Sequence, residues 1–152
     1  MTALIIHQTI DVDAPVETLW KILTDNEFIP QYMFGCLAET DWKPGTPLLW
    51  KGKADGTLYV KGNVVSFEPP HRLVYTVIDP NSDIADIPSN YLTMTCELKK
   101  RGERSSTLEI TQGDFATVEN GRNRHKDSLD GGDSIIVAIG KIAEEHYRSQ
   151  PA

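Results

Sequence analysis

The residue types that most often carry out chemistry are dispersed along this sequence. The chain of 152 residues has four histidines, which are His7, His71, His125 and His146. No two of them have the spacing of metal ligands. The two cysteines, Cys36 and Cys96, do not form a Cys-x-x-Cys pair, and two are too few for a disulfide framework. The sequence therefore predicts two reduced thiols, no metal site and no cofactor.

The surroundings of each cysteine predict its environment. Cys96 alternates with leucine and methionine on an apolar strand face, which predicts a packed thiol. No base that could lower its pKa is visible nearby, so a nucleophile is not expected. Cys36 follows Gly35 in a predicted loop, and we expect it to be the more exposed of the two.

One acidic segment, Asp79–Asp83, has the residue pattern that begins a calcium-binding loop. Its sixth position, which needs glycine for the sharp turn, is Ile84. Its twelfth position, which needs glutamate, is Asn90. These two mismatches favour a solvated acidic loop.

Catalytic motifs are also missing from the sequence. It contains no Gly-x-Ser-x-Gly, no phosphate-binding glycine loop and no His-Glu-x-x-His. The acid–base candidates are Tyr75, Asp79 and Glu97. Catalytic groups can converge in space without a motif, so the catalytic residues are unknown and enzymatic activity stays open.

Apolar and aromatic residues give the stronger functional signal. Most of them are expected in an ordinary core, and a subset is predicted to line a pocket. Trp50 and Tyr75 each carry one polar atom that could orient a ligand in an otherwise apolar site. The predicted lining is Phe28, Tyr32, Met33, Trp50, Val60, Tyr75, Val77, Met94, Ile110, Phe115, Ile135 and Ile139.

The first third of the chain contains the elements that must position these residues. Residues 4–12 alternate apolar and polar side chains, which predicts a strand with one buried face. Asp13-Ala14-Pro15 has the features of a helix start, and a second, shorter helix is predicted after Asn26.

The rest of the chain is predicted to be a meander of strands followed by one long helix. The stretch Gly62–Tyr75 is predicted to contain two strands joined by a turn at Pro69-Pro70. Proline has no N–H to donate to a neighbouring strand, so pairing must stop there. Val65 and Phe67 are out of phase with Val64, which either a bulge near Val64–Val65 or burial on both faces near the corner would explain. The last helix carries an apolar stripe of Ile135, Ile136, Ala138, Ile139, Ile142, Ala143 and Tyr147. The polar residues from 115 to 130 give no assignable pattern.

This order predicts one α+β domain over residues 1–152. A curved antiparallel sheet of six to seven strands wraps around the long C-terminal helix, and two short helices follow the first strand. The net charge of −7 and pI of about 5.0 argue against nucleic acid or an anionic membrane surface as the partner. The N-terminus has no signal-peptide pattern and no stretch reaches ~20 apolar residues, so a cytoplasmic protein is expected.

Several motifs together resemble a known family. They are Asp13-Ala14-Pro15 with Leu19-Trp20, Thr40–Gly45 with Trp50, Gly62–Tyr75, and Gly132 before the last helix. The chain resembles the helix-grip fold of the START-like, SRPBCC superfamily, and more narrowly the family related to the C-terminal domain of the activator of heat-shock protein 90 ATPase. The resemblance implies a cavity between sheet and C-terminal helix.

The sequence departs from that family at three places. A tryptophan often ends the strand after the proline corner in the family, and here Val77 stands there. A tryptophan commonly follows the glycine before the last helix, and here it is Asp133. The aromatic pair near the second helix is replaced by Tyr32-Met33-Phe34.

The expected function is binding of a small apolar or amphipathic molecule in this cavity. One alternative is a cavity enzyme of the cyclase or hydrolase kind, and another is a chaperone co-factor related to the heat-shock protein 90 ATPase activator. A homodimer stays open, and nothing in the sequence supports a particular chaperone partner.

Overall fold

The computed structural model describes residues 3–150, which form seven strands and four α-helices. In chain order these are β1 (Ile6–Val12), α1 (Val16–Thr24), α2 (Ile29–Tyr32), β2 (Cys36–Thr40), β3 (Pro47–Gly52), β4 (Leu58–Glu68), β5 (Arg72–Val77), β6 (Leu92–Gly102), β7 (Ser105–Gly113), α3 (Gly121–Asp130) and α4 (Ser134–Ser149). The α+β helix-grip fold predicted from the sequence is confirmed. Among these elements none is a helix that is both long and apolar enough to cross a membrane.

All seven strands belong to one antiparallel sheet with the order β1-β7-β6-β5-β4-β3-β2. The register shifts between Trp50 and Lys51, between Val64 and Ser66, and between Lys100 and Gly102. Such bulges bend a strand and increase its twist, which gives the sheet a concave face. The shift in β4 confirms the bulge predicted near Val64.

The two strands around the proline corner approach each other unusually closely. β4 ends at Glu68 and β5 begins at Arg72. Further along β4, a Cβ atom placed on Gly62 would lie 1.6 Å from the carbonyl oxygen of Thr76. Only glycine therefore fits at this crossing of β4 with the chain of β5.

The concave face of the sheet packs against α1 and α4. Buried residues of both helices, including Leu19, Ile22, Ile136 and Ile139, belong to the main core. Two hydrogen bonds attach α4 and the turn before it to the first strand. Gln8 Nε2 donates to the Gly132 carbonyl over 3.0 Å, and the backbone N–H of Asp13 donates to Glu144 over 2.9 Å.

The segment from 115 to 130, which the sequence left unassigned, contains α3. Gly121 is the one buried residue of this helix. It lies so close to the Phe115 carbonyl oxygen that a Cβ atom there would be only 1.7 Å away, so a side chain would not fit. Arg124 Nη1 donates to the Asn90 carbonyl over 3.0 Å. This hydrogen bond and the edge-on packing of the His125 ring against Phe115 hold α3 in place, and the helix has no apolar stripe that a sequence pattern could reveal.

The prediction that Cys36 lies in a loop is wrong, although Cys36 is slightly more exposed than Cys96, as expected. Cys36 is the first residue of β2 and is only 6% exposed. It pairs with Gly52 of β3, so its position is set by the sheet. Its thiol is free, as is that of the buried Cys96.

Candidate ligand cavity

A cavity of about 340 Å³ lies between the concave face of the sheet and α4. Its wall is formed mainly by side chains of β3 to β7, with Ile135 and Ile139 of α4 above them. Strands alternate inward and outward residues, so β5, β6 and β7 each contribute successive inward side chains to the wall, whereas β3 and β4 contribute one each. The volume falls within the range of small-molecule sites, which is roughly 300–1,000 Å³.

The structure brings most of the predicted lining residues together around this cavity. The ten that line it are Tyr32, Met33, Trp50, Val60, Tyr75, Val77, Met94, Ile110, Ile135 and Ile139. Their common property is an inward position on a strand, on α4 or on the end of α2. Their positions on the cavity wall are observed, and their part in ligand binding is a prediction.

Phe28 and Phe115, the other two predicted lining residues, lie elsewhere. Phe28 is buried beside α1 and α4, with its ring centroid 4.8 Å from that of His146 and 5.8 Å from Lys21 Nζ. Phe115 is fully buried in a separate small cluster with Leu92 and other apolar residues. Both residues are aromatic and buried, as expected of a core. Whether such a residue reaches the cavity depends on the path of the chain in three dimensions, which the sequence pattern does not record.

Sequence reasoning missed twelve lining residues, of which five have polar side chains. The twelve are Ile6, Gln8, Leu23, Phe34, Leu73, Cys96, Gln112, Asp127, Ser128, Gly131, Gly132 and Ser134. Gln8 lies between the inward Ile6 and Ile10 of β1, and Gln112 follows the inward Ile110 by two residues. The alternation of inward and outward residues along each strand could have identified these two glutamines as lining residues. Asp127 and Ser128 could not be found, because α3 was not predicted.

Burial holds three titratable groups of the cavity wall in their neutral forms. Burial raises the pKa of Tyr32, whose hydroxyl donates to the Leu23 carbonyl over 2.8 Å. Burial likewise raises the pKa of Tyr75 and brings that of the Cys96 thiol to about 12. None of these three groups would ionise near neutral pH, so none is a ready nucleophile or general base.

The acid–base candidates from the sequence do not converge. Tyr75 lines the cavity, whereas Asp79 and Glu97 do not. In residues 3–150 there is also no group of three His, Cys, Asp or Glu side chains arranged to hold a metal ion. The described residues thus offer hydrophobic contact and hydrogen bonding at this place.

Two polar groups of the cavity wall lack a partner. The Tyr75 hydroxyl makes no hydrogen bond with any residue from 3 to 150, in contrast to that of Tyr32. Trp50 is 2% exposed, and its indole N–H is likewise unpaired within the described chain. The Trp50 and Tyr75 ring centroids are 5.8 Å apart. The indole N–H is a buried donor without a partner, which is uncommon and costs stability, whereas Tyr75 is half-buried on the cavity wall and its hydroxyl is the candidate for ligand contact.

The mouth of the cavity lies between the turn after α2 and the turn between α3 and α4. Phe34 stands on the first side, 82% exposed and with a left-handed φ of 53°. Asp127, Gly131 and Gly132 form the second side. Of the three departures from the family pattern, Val77 and the Tyr32–Phe34 segment contact the cavity, whereas Asp133 does not.

Comparison with known proteins gives the same architecture. The sequence model of the family described as "Activator of Hsp90 ATPase homolog 1-like protein" matches residues 13–134. A protein of Cytophaga hutchinsonii, solved in solution, is 30% identical, and the match covers 98% of this chain and 100% of that chain with a TM-score of 0.74. No curated protein sequence is significantly similar.

Two further solved structures share the fold at lower identity. An Hsp90 activator from Plasmodium falciparum is 20% identical, with 91% of this chain and 94% of that chain covered and a TM-score of 0.66. A protein of Mesorhizobium loti is 16% identical, with 97% and 99% covered and a TM-score of 0.74. At these identities the likeness concerns the fold alone.

Proposed function

We propose that this chain, which belongs to the family of activator of Hsp90 ATPase homolog 1-like proteins, binds a small apolar or amphipathic molecule in the cavity under α4. The observation that carries the proposal is the cavity of about 340 Å³ with a mostly apolar wall. At ~30 Å³ for a water-sized group, it has room for roughly ten non-hydrogen atoms. An occupant of that size would contact the aliphatic and aromatic side chains of the wall.

A chaperone co-factor is the second candidate, and one comparison favours it. The Plasmodium falciparum protein of the same fold is described as an Hsp90 activator. Docking to another protein usually needs a contiguous apolar patch. Among residues 3–150, the exposed large apolar side chains are spread over several elements: Ile5, Phe34, Tyr59, Val65, Ile87 and Leu129. This spread supports ligand binding over protein docking as the main function. The cavity-enzyme alternative has no supporting constellation in the described residues.

The test fills the cavity at one position. Val77 lines the wall, and an indole in place of its side chain would occupy much of the space. The matched control is Val65→Trp, because Val65 is 52% exposed and does not line the cavity. Both variants are checked for folding by circular dichroism and urea unfolding before binding is measured.

Binding is measured by titrating a fluorescent apolar dye into each protein and by native mass spectrometry of the protein as purified. We expect Val77→Trp to weaken dye binding at least about tenfold, or ~1.4 kcal/mol, and Val65→Trp to bind like the wild type. A folded Val77→Trp protein that binds the dye as well as the wild type would refute the proposal.

A further inference from the structure

The chemical character of the ligand can be inferred from the charges around the cavity. No lysine, arginine or histidine of the described chain lines it, and its one charged lining residue is Asp127. A carboxylate or phosphate buried there would lose its hydration without meeting a cation, and an ammonium buried there would lose its hydration away from Asp127, which is exposed at the mouth, so burial of either ion is strongly unfavourable. Asp127 would add repulsion at the mouth, as would the net charge of −7 over longer distances.

The remaining polar groups of the wall are neutral. Gln8 already uses its side-chain N–H₂ to bind the Gly132 carbonyl at the mouth. Gln112 of β7 is the register partner of Ile6 and so lies diagonally across from Gln8, and Ser134 begins α4 above them. Neutral amides and a hydroxyl can accommodate an uncharged polar group but cannot neutralise an ion.

Deeper in the cavity the unpaired groups are hydrogen-bond donors. An indole N–H can only donate, and the Trp50 N–H has no acceptor among the described residues. The nearby Tyr75 hydroxyl also lacks a protein partner, and its phenol stays protonated because it is buried. Because Trp50 Nε1 is fully covered by the protein, the Tyr75 hydroxyl on the cavity wall is the group that an occupant can reach, and its proton calls for an acceptor oxygen on the occupant.

We infer that the ligand is an uncharged molecule with an apolar body and one acceptor oxygen, a carbonyl or an ether, that receives a hydrogen bond from the Tyr75 hydroxyl. This inference rests on the proposed function and narrows its substrate class. It separates neutral ketones, esters and ethers from fatty-acid anions and alkyl amines of the same length.

The experiment compares probes of equal chain length on the full chain. Octane, 2-octanone, octanoate and octylamine are titrated at pH 7 by NMR, and the shifts of the Trp50 indole N–H report occupancy. We expect 2-octanone to bind at least about tenfold more tightly than octanoate or octylamine. Tyr75→Phe removes only the hydroxyl. It is expected to weaken the binding of 2-octanone by roughly two- to tenfold and to leave the binding of octane unchanged.

The charge at the mouth is tested with a matched pair of variants. Asp127→Asn is expected to improve octanoate binding several-fold and to leave 2-octanone unchanged. Asp130→Asn is the control, because Asp130 ends the same helix, is exposed and does not line the cavity. Equal gains in both variants would show a general charge effect and would overturn the role given to Asp127.

The outcomes separate this inference from the proposed function. Octanoate or octylamine binding as tightly as 2-octanone would overturn the inference and leave ligand binding intact. So would a folded Tyr75→Phe protein with unchanged affinity for 2-octanone. If no probe binds, and if Val77→Trp and the wild type also bind the apolar dye equally well, both this inference and the proposed function fail.

Discussion

Replacing Gly62 with alanine tests whether the close crossing of β4 and β5 is a structural necessity. The added Cβ would lie 1.6 Å from the carbonyl oxygen of Thr76 and 2.4 Å from its carbonyl carbon. Both are backbone atoms, so no side-chain rotation relieves the overlap. The two chains must move apart at this point.

The cost follows from the contacts that separation would break. Next to the crossing, Lys61 and Ile78 exchange two backbone hydrogen bonds of 3.0 and 2.8 Å. Each is worth about 1 kcal/mol net, and forcing an extra methyl into a packed site costs about 1–3 kcal/mol. The sum is a loss of about 3–5 kcal/mol, a large part of the 5–15 kcal/mol that typically holds a domain folded.

Urea unfolding followed by circular dichroism measures this loss. Gly102→Ala is the control, because its Cβ would meet only the Ser105 Oγ at 3.1 Å, the end of a small side chain. We expect the control to change the free energy of unfolding by less than about 1 kcal/mol. If Gly62→Ala destabilises the protein no more than Gly102→Ala, the steric reasoning is wrong.

Two further predictions concern titratable groups. Burial brings the pKa of Cys96 to about 12, so at pH 8 its thiolate is roughly 10³-fold rarer than that of a free cysteine, and iodoacetamide should react correspondingly more slowly than in unfolded protein. Asp114 accepts hydrogen bonds from the backbone N–H groups of Leu4 and Ala116, which lower its pKa. The ionised Asp114 carboxylate therefore stabilises the folded protein at neutral pH. This contribution begins to be lost when the pH falls below about 4, the pKa of aspartate in the unfolded chain, and is gone once the pH has fallen below the lowered pKa of the folded protein.

Each of these has a direct readout. Peptide mass spectrometry follows alkylation of Cys96, and a rate within tenfold of the urea-unfolded rate would contradict its burial. For the carboxylate, Asp114→Asn should be less stable than the wild type at pH 7, and the difference should shrink progressively as the pH falls below about 4 and the aspartate takes up a proton. A difference that does not depend on pH would mean that the ionised form is not the one stabilised.

Much of this architecture could be predicted because local patterns and tertiary packing agree. The alternation in β1, the proline corner and the apolar stripe of α4 each mark an element whose buried face is visible in the sequence. The break in phase after Val64 had two possible explanations, a bulge or burial on both faces, and β4 contains the bulge.

The remainder depends on interactions that no local pattern records. α3 is held by hydrogen bonds such as that from Arg124 to the Asn90 carbonyl, so its polar sequence looked like a loop. Phe28 and Phe115 are core aromatics like Trp50, and only the three-dimensional path decides which of the three contacts the cavity. Cys36 appeared exposed because pairing with β3, which buries it, is a long-range contact.

The position of β1 at the edge of the sheet has a consequence for folding during synthesis. β1 pairs only with β7, and about 90 residues separate the two strands along the chain. At translation rates of ~5–20 residues per second, β1 therefore waits roughly 5–18 s for its neighbour. Contacts of such long sequence separation also slow folding itself. His7, Thr9 and Asp11, the polar residues on its outward face, give the waiting strand a hydrophilic side that discourages pairing with other nascent chains.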